Sequence, residues 1–81
     1  GGINPIFLPV VSHIRPETYH LTIINRWGQL VFESYDQNVG WDGTIQSNGN
    51  RAKNDVYVYI FEAEDDEGNF IQKKGFVSLI E

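Results

Sequence analysis

Apolar side chains recur at every second position through two stretches of this chain, a period that suits half-buried strands and not helices. Between Thr18 and Asn25, Tyr19, Leu21 and Ile23 point one way while His20 and Thr22 point the other. Between Val56 and Glu64 the charged Glu62 and Glu64 identify the outward parity. Val56, Val58 and Ile60 are therefore expected outside, and Tyr57, Tyr59, Phe61 and Ala63 against the core. No segment carries a convincing 3.6-residue period, and there is no internal repeat.

Turn residues punctuate these strands. Asn25-Arg26-Trp27-Gly28 predicts a reversal, because Gly28 takes positive φ without steric penalty. A second strand over Gln29 to Ser34 then completes a hairpin. Asp36 to Asn54 is rich in Gly, Asn and Asp and reads as loop, with at most a short strand near Trp41 or Thr44–Gln46; Asn48-Gly49 is a turn dipeptide. The acidic run Asp65-Asp66-Glu67-Gly68-Asn69 predicts a tight turn, after which Phe70 to Ile80 returns antiparallel. Gly75 interrupts that strand and marks a bulge or a close backbone contact. Ile6 to Val11 can add a strand, with Pro9 confining it to an edge or bulge. The expected fold is all-β, an antiparallel immunoglobulin-like β-sandwich of about six or seven strands, short for that architecture.

Eighty-one residues make a single domain, 1–81. A chain of this size buries only about 60–65% of the surface its unfolded form exposes, so its core must be well filled. Five Phe, four Tyr and two Trp can fill one. Absence of cysteine excludes disulfides, thiolate nucleophiles and zinc–thiolate sites. A net charge of −5 disfavours nucleic acid as a partner. The apolar runs are far shorter than the ~20 residues that cross a bilayer, so the domain is not itself membrane-spanning. No signal peptide is visible, and Gly1-Gly2 reads as a cloning remnant, so the chain is expected to be a fragment of a longer secreted protein.

Candidate chemistry is sparse. Ser12-His13 with Asp36 or Asp42 could be drawn as a hydrolytic triad, yet no Gly-x-Ser-x-Gly elbow surrounds any serine. Glu62, Glu64, Asp65, Asp66 and Glu67 offer oxygens for calcium but do not meet the Asp-x-Asp-x-Asp-Gly loop pattern, and a solvated turn is the simpler reading. We therefore expect no catalytic residues, no metal site and no cofactor.

The two Trp-Gly neighbourhoods are more informative. Arg26-Trp27-Gly28 and Gly40-Trp41-Asp42-Gly43 each set an indole beside a glycine in a loop. Both indoles are expected to fold back as plugs at the ends of the sandwich, Arg26 stacking on one, because so small a core needs them. The competing reading makes one of them part of a recognition surface. Lys73-Lys74 beside Gly75 is a basic spot on an acidic domain; it either blunts an exposed strand edge or makes a docking contact.

Ordered blocks of residues resemble a known family. They run Tyr19-x-Leu21-x-Ile23-x-Asn25-Arg26-Trp27-Gly28, Leu30-Val31-Phe32-Glu33-Ser34, Gly40-Trp41-Asp42-Gly43, Asp55-Val56-Tyr57-Val58-Tyr59 and Lys73-Lys74-Gly75-x-Val77-x-Leu79-Ile80. Together, over about residues 6 to 81, they resemble the gliding motility-associated C-terminal domain, the type B sorting domain of the type IX secretion system of Bacteroidota. That resemblance implies a non-enzymatic sorting module, covalently fused to an N-terminal cargo. The cargo would pass through periplasm and outer membrane to the cell surface or medium. Its partners would be outer-membrane type IX components, a dedicated membrane partner protein among the candidates.

The family's opening Pro-Asn-Gly-Asp-Gly-x-Asn-Asp loop is reduced here to Gly2-Ile3-Asn4, so no role of that loop carries over. Before the long strand this chain has Lys53-Asn54-Asp55 where the family often has Pro or Gly. The expected recognition residues are Arg26, Trp27, Gly28, Trp41, Asp42, Gly43, Lys74, Gly75, Val77, Leu79 and Ile80. The alternative function is an accessory immunoglobulin-like binding module of a surface adhesin, for carbohydrate, calcium or protein. A spacer in a repeat array is a weaker one.

Overall fold

The first hairpin is held by a single side chain. Asn25 accepts hydrogen bonds at its side-chain carbonyl from the amides of Trp27 and Gln29, both at 2.9 Å, and Gly28 turns the chain at φ +79°. The same device recurs at the acidic turn, where Asp65 Oδ1 accepts from the amides of Glu67 and Asn69 at 2.9 and 2.8 Å and Gly68 stands at φ +85°. An Asx oxygen fixes each reversal, and glycine supplies the positive φ that side chains resist. A computed structural model of the chain describes residues 6–80, and in it these turns join β1 (His20–Ile24) to β2 (Leu30–Ser34) and β3 (Asp55–Glu64) to β4 (Phe70–Leu79).

The strands form one antiparallel sheet in the order β2-β1-β3-β4. The described residues are thus all-β, with a single 3₁₀ turn at Pro16–Thr18. Among the described residues there are four strands in one sheet, not the six or seven strands of two packed sheets that the alternation suggested. Ile6–Val11 and the 35–54 loop contribute isolated bridges only, Phe7 to Trp41 and Thr44 to Arg51. Pro9 and the Gly- and Asn-rich loop lack the donors or the stiffness to extend these bridges into ladders. The Gly2-Ile3-Asn4 remnant and Glu81 lie outside the described residues.

Parity follows the sequence pattern. Tyr19, Leu21, Ile23, Tyr57, Phe61 and Ala63 are buried on the inner face, joined by Phe32, Val77 and Leu79. Tyr59 is half-buried, its ring 4.7 Å from that of Phe7. A register shift between Ile23 and Ile24 lets consecutive Val31 and Phe32 both be buried. The inner face is covered not by a second sheet but by the N-terminal segment and the 35–54 loop. That loop must cross over β1, because it leaves β2 at one edge and enters β3 on the far side of β1. The outer face of the sheet has no such cover among the described residues.

Gly75 is explained by packing. The β3–β4 register runs unbroken from Asp55–Leu79 to Glu64–Phe70, so there is no bulge. Instead the Tyr59 ring lies across Gly75, where a Cβ would come within 2.8 Å of Tyr59 Cζ and of its hydroxyl. Gly75→Ala should therefore destabilise the fold by about 1–3 kcal/mol through overpacking. In a Tyr59→Val background the same change should be close to neutral, and urea denaturation of the four chains of this double-mutant cycle measures the coupling.

Candidate functional site

The expected recognition residues separate into three places. Trp41, Asp42 and Gly43 sit in the covering loop, and the Trp41 indole is fully buried at 0% exposure. Its Nε1–H donates to the Thr44 carbonyl at 2.9 Å, its backbone exchanges hydrogen bonds with Phe7, and its ring meets Tyr57 edge-on at 5.1 Å. Asp42 staples the loop by accepting from the Thr44 amide at 3.0 Å and the Thr44 hydroxyl at 2.6 Å. Those bonds, the hydroxyl's first, hold its carboxyl below the usual carboxylate range. Gly43, at φ +88°, is packed against the Ile6 and Leu79 side chains. This block shapes the fold and offers a partner little surface.

Arg26, Trp27 and Gly28 form the tip of the first hairpin. Trp27 is 78% exposed, so the expectation that both indoles plug the core holds for Trp41 only. A three-residue hairpin tip projects beyond the sheet and cannot fold back over it, whereas the long 35–54 loop must lie across it. Arg26 is committed to Asp55 at the start of β3, at 2.7 Å. Arg26 and Trp27 border a shallow groove of about 250 Å³ with Lys53, Asp55 and Tyr57. Hydrogen bonding from Arg26, then from the Val56 amide, holds the Asp55 carboxyl low.

The third place is β4. Val77 and Leu79 are buried, Gly75 lies under Tyr59, and Lys74 and Ile80 are exposed. A partner docking on the folded domain could therefore meet Arg26, Trp27, Lys74 and Ile80 directly, while the buried members of the set act through the shape they give it.

The imagined triad does not assemble. His13, in the left-handed region at φ 59°, lies beside Asp66, with Nδ1 3.7 Å from Oδ2, and not beside Asp36 or Asp42. In the acidic turn Asp65 spends its oxygens on the amides of Glu67 and Asn69 and on the Asn69 side chain, while Glu64 pairs with Arg15. The cross-strand cluster that sequence reading missed is on the outer face. His20 Nε2 lies 2.7 Å from Glu33 and Nδ1 3.6 Å from Glu62, with the Tyr35 ring stacked at 4.5 Å. The Glu33 carboxylate pushes the Tyr35 hydroxyl pKa up. Thr22 Oγ1 is 3.4 Å from the same Nε2 that Glu33 occupies more closely, so no nucleophile–base pair is formed.

The family model of the CHU_C type IX secretion signal domain matches residues 2–79. The chain belongs to that family. No curated protein and no solved structure matches the chain. The expected kinship with type IX sorting domains is thereby established, and all five quoted blocks lie within or overlap the matched span. A type IX signal domain is a non-catalytic module that works fused to a cargo and addressed to the secretion machinery. No helix of the described residues is long and apolar enough to cross a membrane.

Two predictions follow from this geometry. Trp41→Ala should cost about 3–5 kcal/mol, near or beyond the stability of so small a domain, whereas Trp27→Ala should change it by less than about 0.5 kcal/mol; thermal melts separate them. Asp42, Asp55 and Asp65 all have folded-state pKa values below the unfolded ones. Their contribution should be fully present above about pH 4 and lost as pH falls through the lowered values, because the unfolded chain takes up protons first. Asp42→Asn should flatten that acid limb in urea titrations run from neutral to acid pH.

Proposed function

We propose that this domain is the C-terminal export tag of a longer cargo. Outer-membrane type IX components would read it as a folded β module and pass the cargo from the periplasm to the cell surface or medium. The match of the signal-domain family over residues 2–79 carries this reading. The exposed hairpin tip at Arg26-Trp27 and the open final strand support it, because aromatic and Arg anchors and strand edges are common protein-recognition devices. Arg26, Trp27, Lys74 and Ile80 would be contacted, and Trp41, Asp42, Gly43, Gly75, Val77 and Leu79 would keep the contacted surfaces in place. A dedicated membrane partner protein would fit the same surface. The family match gives a carbohydrate- or calcium-binding role no comparable support, and Asp65 spends its oxygens on its own turn.

A fluorescent reporter carrying an N-terminal export signal and residues 1–81 at its C-terminus, made in a host with a type IX system, tests the proposal. The reporter should appear on the surface or in the medium. An Arg26→Ala, Trp27→Ala reporter should be exported at least several-fold less while its domain stays folded, its melt lowered by no more than the loss of the exposed Arg26–Asp55 pair. Periplasmic retention of the folded parent reporter, with the family's opening loop restored as a control, would overturn the reading.

A further inference from the structure

The two edges of the sheet differ. At the β2 edge, Gln46 closes the ladder: its amide donates to the Val31 carbonyl at 2.9 Å. Its side chain accepts from the Glu33 amide and donates to the Glu33 carbonyl, both at 3.0 Å. The β4 edge has no counterpart. Among the described residues, no hydrogen bond from beyond β3 reaches the backbone of Phe70–Leu79, a strand of ten residues with neither proline nor register shift. Such an edge is a template for another strand.

Side chains along that edge restrict what can be added. β4 carries Lys73 and Lys74 and no carboxylate, in a domain of net charge −5. On the β3 side the lysines face Phe61 and Ile60, so no carboxylate stands directly opposite either; the nearest on the sheet is Glu62, diagonal to Lys74 and already bonded to Gln72. Both are exposed, and neither forms an ion pair among the described residues, while Arg15 and Arg26 are each paired. Lys74 lies on the outer face and Lys73 on the inner, so the two ammonium groups flank the edge from both sides. Two places along from Lys74 on the outer face stands Phe76, 76% exposed. Phe76 ends an apolar row that crosses the whole sheet through Val58, Ile24 and Leu30 and stops at the open edge.

We propose that β4 accepts an extended acidic segment of a partner protein as a fifth strand. Two successive carboxylates would sit beside Lys73 and Lys74, and an apolar residue on the Lys74 side would continue the row beyond Phe76. This inference rests on the sorting role for the identity of the partner, a component of the secretion apparatus, but not for the binding itself. A second copy of the chain is the poorer occupant. In antiparallel pairing over the full strand, Lys73 and Lys74 would face Phe76 and Gly75 of the other copy, so the four ammonium groups would crowd the central rungs with no carboxylate to answer them.

The probe is a blocked peptide of Thr and Ser, long enough to span β4, with one Val and two adjacent Glu placed two and three positions after it. Added to the whole chain, it should slow hydrogen exchange of β4 amides and leave β2 amides unchanged. Lys73→Glu with Lys74→Glu should weaken it by at least about tenfold, equivalent to about 1.4 kcal/mol. The double variant should instead bind the peptide with Lys in place of Glu. Phe76→Ala should weaken both peptides. Equal binding of the acidic peptide to parent and charge-reversed chains, protection mapping to β2, or a dimer of the free chain with protected β4 amides would each overturn the proposal. Export of the charge-reversed reporter at the parent's level removes β4 from sorting while leaving the sorting role intact. Failure of the parent reporter removes the sorting role, and peptide binding is judged independently of it.

Discussion

The burial of one indole underlies the rest of the architecture. Trp41 lies in a loop, yet it is fully enclosed, its Nε1–H satisfied by the Thr44 carbonyl and its backbone bridged to Phe7. A four-stranded sheet with one covered face has only the segments that cross it to exclude water. Deleting so large a plug costs more than the marginal stability of a small domain readily tolerates. The Asp42–Thr44 bonds and the close packing of Gly43 on Ile6 and Leu79 hold the loop in the shape that carries the indole inward. The block Gly40-Trp41-Asp42-Gly43 is therefore best understood as a clasp between the N-terminal segment and the sheet.

From that clasp follows the division of labour across the molecule. Because the 35–54 loop and the described part of the N-terminal segment lie on the inner face, the outer face and the β4 edge have no such cover among the described residues. The outer face is itself divided by register. Leu30, Ile24, Val58 and Phe76 make an apolar row, while Glu33, His20 and Glu62 form a polar cluster under Tyr35. Gln46 closes the edge nearest the crossing loop because the loop passes beside it. Among the described residues, no hydrogen bond from outside the sheet closes the β4 edge.

Much of this was legible in the amino-acid order. The parity of Tyr19, Leu21 and Ile23, and that of Tyr57, Tyr59, Phe61 and Ala63, follows from alternation alone, and both hairpin tips follow from an Asx residue with Gly three places on. The family was legible too, because its blocks are local strings of residues. The contrast between Trp27 and Trp41 was not, since the two have similar neighbours. What separates them is the topology: one caps a tight hairpin and the other rides a crossover. The role of Gln46 was equally hidden, because a single polar side chain completing a ladder leaves no periodic trace. The His20 cluster needs the β2-β1-β3 order before Glu33 and Glu62 can be seen to flank it. The N-terminal segment resembles a strand in composition, but Pro9 removes a donor and the pairing stops at a single bridge.

An open strand edge is a hazard that small β domains suppress, and lysine is a common means of doing so. Here suppression and recognition need not conflict. A charge pair at the middle of an edge repels another copy of itself whatever the strand direction, yet it attracts an acidic strand. The main-chain hydrogen bonds that such a strand would make are indifferent to sequence, so the discrimination falls to Lys73 and Lys74. Exposed charges of this kind add modestly to affinity and more to encounter rate and to the rejection of wrong partners. That balance favours selectivity over tight binding. It also explains why β4 keeps its lysines unpaired: a carboxylate on β3 opposite them would neutralise the edge and erase the distinction between an acidic strand and any other.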